Sequence, residues 1–247
     1  MRLVQTKKNS RRGMEHPAAV LYLEHDGKVL LVDSDGNGPQ KPVMKRIKDT
    51  AFRFPTIDEV AALEIDWSEK NRFRFLDTEV IKGHLNIDWP KNWAWKDECI
   101  SDDCVHPIAR EAIYRSIHRL VSKVIVLNRE NKVLMGKIER GHFVGHWTLP
   151  GGYLDHDEHP AIGCVRETLE EMGIDIELSE DAPIITQRIF TAEGISFVSF
   201  TYKATWLGDN SEIKLKENEI EDYSWFTKDE AMAKAVSGFD RAALIDL

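Results

Sequence analysis

Residues 151–174 read GGYLDHDEHPAIGCVRETLEEMGI, and their pattern decides how the second half of the chain folds. Pro160 suits a first helical turn, where a missing N–H costs nothing, and Gly173 suits the left-handed residue that ends a helix. In the helix predicted between them, Ala161, Ile162, Val165, Leu169 and Met172 fall within one apolar face. Glu167, Glu170 and Glu171 fall on the opposite side, at spacing i, i+3 and i+4. Like charges so placed repel one another and destabilise a helix, unless a hard divalent cation sits between them. All-oxygen ligands of this kind select Mg2+ or Mn2+ over zinc. Arg166, beside them, can offset part of the repulsion or hold a carboxylate bidentately. The competing reading is an ordinary solvated helix face, which a short acidic run would satisfy by itself. The preceding Pro150-Gly151-Gly152 weighs against it, because backbone there can approach a ligand closely and leave a carbonyl free for metal.

These residues resemble the signature of the Nudix hydrolases, Gly-x5-Glu-x7-Arg-Glu-U-x-Glu-Glu-x-Gly-U, where U is aliphatic. Gly152, Glu158, Arg166, Glu167, Glu170, Glu171, Gly173 and Ile174 match every fixed position at the right spacing, and only Thr168 departs, standing where an aliphatic residue is usual. The resemblance implies an α/β/α sandwich with a mixed sheet over residues 121–247. It also implies hydrolysis of a phosphoanhydride with one to three Mg2+ or Mn2+ ions. Glu170 and Glu171 would then be metal ligands with the Gly152 carbonyl, and Glu167 a ligand or the general base. Arg166 would orient the carboxylates, and Glu158 would support them without touching metal. The family often recruits a further glutamate from outside this segment. Glu219 in KENEIEDYSWF is the expected one and Glu221 the reserve, with Glu217 also nearby. Metal neutralises the diphosphate and stabilises the departing phosphate, while a carboxylate accepts the proton of the attacking water.

The substrate expected from the resemblance is a small nucleotide: ADP-ribose, a nucleotide sugar or a similar diphosphate-linked compound. A nucleoside triphosphate is the alternative within the same chemistry. A regulator that senses nucleotides is the alternative from another class, and isomerase chemistry on an isoprenoid diphosphate a further one. The first 120 residues carry neither a strong basic bias nor a helix-turn-helix pattern, which weighs against the regulator. The isomerase would ask for a catalytic cysteine, and Cys164 lies inside the predicted helix. The resemblance extends to NADH pyrophosphatases in layout, but their four-cysteine zinc ribbon and Ser-Gln-Pro-Trp-Pro-Phe-Pro signature are missing here.

Around this centre the chain reads as a two-domain α+β protein, with an N-terminal domain over 1–115 and a C-terminal one over 121–247. Residues 18–32 (AAVLYLEHDGKVLLV) and 122–135 (SKVIVLNRENKVLM) both read as strand, turn, strand, and Phe52-Arg-Phe-Pro-Thr corresponds loosely to Trp147-Thr-Leu-Pro-Gly. A degenerate internal copy would explain this. Charged hairpins are common, however, and nothing in 55–115 resembles the acidic helix, so coincidence is slightly favoured. Pro107 opens a helix expected to run to Leu120 and to connect the domains, with Ile108, Ala112, Ile113, Ile117 and Leu120 on one side. Strands are expected at 184–191, 196–206 and 222–226, and one final helix from Lys228.

The 42% apolar and 30% charged composition is that of a globular chain. No apolar run approaches the ~20 residues needed to span a bilayer. The basic start (Arg2, Lys7, Lys8, Arg11, Arg12) has no signal-peptide core behind it, so a cytoplasmic setting without membrane attachment is expected. The net charge of −9 is uneven: residues 1–120 hold 20 Lys and Arg against 19 Asp and Glu, and the rest 13 against 23. An acidic domain repels a nucleic-acid backbone and attracts divalent cations. Weaker candidates are Lys137 and Arg140 as phosphate clamps, and Phe143 and Trp147 as stacking rings. Trp89, Trp93 and Trp95 could form an aromatic platform for a nucleobase, but a buried anchor or a homodimer interface is the commoner role of tryptophan, and Trp93 could wall the substrate cleft. Cys99 and Cys104, with His84 and His106, form only a weak zinc pattern.

Overall fold

The computed structural model describes residues 19–42, 51–75, 77–85, 87, 89–141, 143–190 and 194–247; the basic start lies outside them. They form two compact units, one of residues up to 115 with Gly194, the other of residues 116–190 and 195–247. Among the described residues, no helix is long and apolar enough to cross a membrane.

The first unit opens on β1 (Ala19–His25) and β2 (Lys28–Val29), joined through Asp26 and Gly27, whose positive φ values of 46° and 72° give the tight turn that suits twisted strands. A small ladder of β3 (Val32–Asp33) and β4 (Phe52–Arg53) leads to α1 (Ile57–Ala62). Then come β5 (Trp67–Phe75), β6 (Thr78–Leu85), β7 (Ala94–Trp95), α2 (Lys96–Ile100) and α3 (Pro107–Ser116). The sheet order is β5-β6-β1-β2-β7, with β1 parallel to β6 and the other pairs antiparallel. Because both faces of β1 are covered, it reads as an unbroken apolar run: Leu21 and Leu23 pack with Val60 of α1, Val20 and Tyr22 with Ile108, Ala109, Ala112 and Ile113 of α3. Helix α3 is therefore part of this core, not a connector. It stops at Ser116, and the expected continuation to Leu120 is instead a two-residue break followed by strand from Arg119, with Ile117 and Leu120 substantially exposed. Trp93 is buried on the other face of the sheet, with Leu21, Leu23 and Val60, so it walls no cleft, while Trp89 and Trp95 clasp the Lys28 ammonium at 4.0 and 4.6 Å from their ring centroids.

The second unit contains β8 (Arg119–Leu127), β9 (Val133–Ile138), β10 (Trp147–Thr148), β11 (Gly151–Tyr153) and α4 (Pro160–Met172). Strands β12 (Ile184–Phe190), β13 (Ile195–Thr205) and β14 (Ile220–Phe226) follow, then α5 (Lys228–Lys234) and α6 (Gly238–Ile245). The expected single final helix is thus two, divided where Ser237 turns its hydroxyl back to cap the Phe239 N–H at 3.1 Å. The mixed sheet runs β12-β13-β8-β9, with β10 and β14 both on β9 and β11 on β8. Cys164 and Met172 of α4 cover one face with Val124, Val126 and Tyr202; Ala231, Ala243 and Leu244 of α5 and α6 cover the other with Ile125, Val133 and Met135.

The two units share one plan. Strand for strand, β5-β6-β1-β2-β7 corresponds to β12-β13-β8-β9-β14, with the parallel pair in the same place, β1–β6 against β8–β13. The Leu21 N–H donates to Pro55 O at 2.7 Å, as the Val124 N–H donates to Pro150 O at 3.1 Å, which equates Leu21 with Val124 and Pro55 with Pro150. Trp95 precedes α2 as Thr227 precedes α5, and α1 follows Pro55 on the sheet face that α4 takes in the second unit. The weak hairpin similarity in the sequence is therefore a structural repeat. It was hard to read because the element that would have declared it, the acidic helix, has shrunk to the six residues of α1.

In the first unit that short helix is held by a closed ion pair. Glu59 receives two hydrogen bonds from Arg53, at 2.8 and 2.6 Å, and one from the Thr56 N–H, while Thr56 Oγ1 caps the Glu59 N–H. The Arg53 guanidinium, with the Thr56 N–H, holds the Glu59 carboxyl down from 4.5 to about 2. Glu59→Gln should cost about 1–2 kcal/mol at neutral pH. A depressed carboxyl stabilises fully above its unfolded value and loses that contribution as pH falls through the folded one. The gap between wild type and variant should therefore hold above about pH 5 and close toward about pH 2. Urea unfolding of both proteins across that range checks it, and a pH-independent gap would contradict it.

Candidate functional site

The turn before α4 is built around glycines that no other residue replaces. Gly151 has φ 134°, and a Cβ there would lie 2.2 Å from the Ser122 carbonyl oxygen of the neighbouring strand. At Gly152 a Cβ would come within 2.8 Å of the Glu167 carboxyl carbon and both its oxygens. The Glu167 carboxylate thus occupies the space a side chain would have taken. Strand β11 sets this turn against β8, pairing Gly151 with Lys123 and Gly152 with Ser122. Helix α4 begins at Pro160 under the cap of His159, whose Nδ1 accepts the Ala161 N–H, and ends at Gly173.

The helix is rolled roughly a quarter turn from the orientation its apolar residues suggest. Ile162 and Leu169 are exposed, at 63% and 50%, whereas Cys164, Thr168, Glu171 and Met172 are buried. The roll is imposed by Glu171, which points inward to accept the Gly151 N–H at 2.9 Å. Thr168 fits the buried face because its hydroxyl donates to Cys164 O at 2.7 Å, which explains the departure from an aliphatic residue. The three glutamates are consequently not one solvated face: Glu171 is buried, Glu167 half-buried and Glu170 exposed.

Arg166 ties the carboxylates together. It grips Glu158 with two hydrogen bonds of 2.8 and 2.9 Å, donates to Glu167 at 2.9 Å and to Glu170 at 3.3 Å, and reaches Tyr153 O at 3.2 Å. Its guanidinium, helped by the Asp155 N–H, holds the Glu158 carboxyl down to about 2. Burial raises the Glu167 carboxyl against the pull of Arg166. Burial pushes Glu171 up to about 8, against the Gly151 N–H and the Lys123 charge and with the help of the Glu167 and Glu219 charges.

Among the glutamates outside the helix, Glu219 joins this group. The loop from 214 to 219 is pinned to α4, with the Lys216 N–H on Glu171 O and the Glu219 N–H on Lys216 O. Glu219 Oε2 lies 2.8 Å from Lys216 Nζ but is buried and, among the described residues, receives no hydrogen bond of good geometry. Lys216, which the sequence reading did not single out, also reaches Glu170 at 3.4 Å. Glu221 falls in a bulge of β14 and turns to Lys137, 3.0 Å away, and Glu217 is exposed. Arg140 extends into solvent 3.7 Å from Glu219, Phe143 is half-buried, and Trp147 packs edge-on against Phe226. Cys99 and Cys104 are buried in the first unit's core, where burial pushes both thiols up to about 12.

Among the described residues, no three acidic, imidazole or thiol groups converge into a preassembled metal cluster; Arg166 and Lys216 stand between the carboxylates. The donor set nevertheless fits a hard divalent cation. It is all oxygen, it includes a buried carboxylate oxygen without a hydrogen bond, and it has a glycine cradle against Glu167.

The NUDIX domain family model matches residues 117–247. A MutT-like protein of Streptomyces ambofaciens is 31% identical over 121 residues, covering 49% of this chain and 71% of that protein. An 8-oxo-dGTP diphosphatase of Proteus vulgaris is 34% identical over 53 residues, 21% of this chain and 47% of that protein. A MutT NUDIX hydrolase structure from Burkholderia pseudomallei aligns over 52% of this chain and 97% of its own, with 27% identity and a TM-score of 0.45. With the carboxylate helix and its glycine turn in the matched region, the chain belongs to the Nudix hydrolase family.

Proposed function

We propose that the second unit hydrolyses the phosphoanhydride of a nucleoside diphosphate-linked compound, of the ADP-ribose or nucleotide-sugar class, with Mg2+ or Mn2+. The observation that carries this reading is the gathering of Glu167 and Glu170 on Arg166 and of Glu171 on the Gly151-Gly152 turn, with Glu219 close enough for its charge to act on Glu171. Carboxylates crowded this closely repel one another, and a divalent cation relieves that repulsion. Glu170, Glu171 and the Gly152 carbonyl are the proposed ligands. When bound, the cation supplies charge neutralisation of the diphosphate and a more acidic water.

The protein's own groups do the remaining work. Glu167, raised by burial, is placed to take the proton of the attacking water, with Glu219 as the second candidate for that role. Arg166 holds Glu158 and Glu167 in fixed rotamers, so the carboxylates do not have to be ordered during reaction. Because attack is at phosphorus, both products keep a phosphate. A nucleoside triphosphate is the second reading, favoured by the similarity to the 8-oxo-dGTP diphosphatase. A panel of ADP-ribose, nucleotide sugars and nucleoside triphosphates assayed with Mg2+, with products resolved by mass, separates the two.

Two outcomes are expected of the chemistry. Glu170→Gln and Glu171→Gln should each lower turnover by orders of magnitude and weaken Mn2+ binding, while far-UV circular dichroism stays the same. Unchanged turnover in either variant would remove that residue from the site. Hydrolysis in ¹⁸O-water should place the label on a phosphate of one product, whereas label on a sugar carbon would rule out attack at phosphorus.

A further inference from the structure

The second unit buries a charge pair that its catalytic signature does not include. Asp240, the third residue of α6, is fully buried, and its two oxygens have separate duties. Oδ1 accepts from Lys123 Nζ at 2.8 Å, and Oδ2 accepts the Leu149 N–H at 3.1 Å. Leu149 leads directly into Pro150-Gly151-Gly152, and Lys123 is the register partner of Gly151 on β8. The pair therefore grips the glycine turn from two sides, through its backbone at Leu149 and through the strand opposite Gly151. The Gly151 N–H so placed is the one that Glu171 accepts.

Buried charges are costly, and a fold that needed only packing here could use apolar side chains. The chain itself contains that version. Equating Leu21 with Val124 places Val20 at the position of Lys123. His106 Nδ1 accepts the Ile108 N–H at the start of α3, as Ser237 Oγ accepts the Phe239 N–H at the start of α6. That equates His106 with Ser237, and so Ala109 with Asp240. Val20 and Ala109 line the same small cavity of about 20 Å³, next to Phe54, the counterpart of Leu149. The same plan thus closes without the pair in the unit whose acidic helix is missing, and carries the pair in the unit that has it.

We propose that Lys123 and Asp240 are positioning residues of the hydrolytic site, which set the Leu149–Gly152 turn so that Gly151 meets Glu171. This rests on the assignment of Glu171 to the site made above. The pair touches no substrate and acts through the turn, which makes α6 a supporting part of the active centre.

The test uses the full chain with both charges removed together, Lys123→Met/Asp240→Leu, so that neither is left buried alone. The variant should unfold within a few degrees of wild type, since the first unit closes with apolar residues at the equivalent places. Its Gly151 amide should exchange with solvent at least tenfold faster without metal, its Mn2+ affinity should drop about tenfold or more, and kcat should fall with KM little changed. Asp240→Asn, which keeps an acceptor for the Leu149 N–H, should fall between the two. Wild-type amide exchange, Mn2+ affinity and kcat in the double variant would overturn the proposal. So would a large loss of stability with full activity per folded molecule, which would mark the pair as scaffold. Glu171→Gln measured alongside keeps the two levels apart. If it is impaired while the double variant is not, only the positioning role fails; if it is fully active, the site assignment beneath it fails as well.

Discussion

A buried carboxylate has to be met by a donor, and in the second unit the donor is the Gly151 N–H, 2.9 Å from Glu171. Much else follows from satisfying that contact. The turn must lie against β8 more closely than any side chain allows, hence the paired glycines. The helix must roll until Glu171 faces the sheet, hence the exposure of Ile162 and Leu169 and the burial of Thr168. With Glu171 inside, Glu167 comes to rest against Gly152, and Arg166 is left free at the rim to collect Glu158, Glu167 and Glu170.

The chemistry-bearing segment was legible because its meaning is local. Pro160 and Gly173 mark the helix ends, and the glutamate spacing can be read within four turns of one helix. The orientation of that helix was not legible. Leu169 and Ile162 are more apolar than Thr168 and Cys164, and periodicity weighs hydrophobicity without knowing that one carboxylate must face inward. Glu219 was readable as the first choice among three acids; that Glu221 turns away to Lys137 follows from the bulge in β14, which depends on pairing with β9 and could not be read from sequence. Lys123 and Asp240 gave no local signal, since they lie far apart in sequence and each resembles a surface residue.

The two units show how far one backbone plan constrains its residues. Strand order, the parallel pair, the proline carbonyl bonded to the central strand and the cap of the last helix are kept. What differs is where charge enters. In the first unit the turn after Pro55 goes straight into a capping box, and Arg53 neutralises Glu59 at the surface. In the second, the same turn opens into glycines, and ionisable side chains are buried beside it at Glu171, Lys123 and Asp240. Buried ionisable groups are costly for a fold, and each copy places them differently: the first buries Lys28 between Trp89 and Trp95, whereas the second buries its pair beside the glycine turn.

The uneven acidity of the chain has a consequence for which ions reach that working part. Thirteen basic residues face twenty-three acidic ones beyond position 120, and this excess creates a negative potential around the second unit. In such a potential the local enrichment of a dication is the square of that of a monocation. Acids far from the glycine turn, which touch no substrate, thereby select for ion valence before any ligand is engaged. Added salt compresses that atmosphere to within about 10 Å at 0.1 M, so the selection acts most strongly when ionic strength is low.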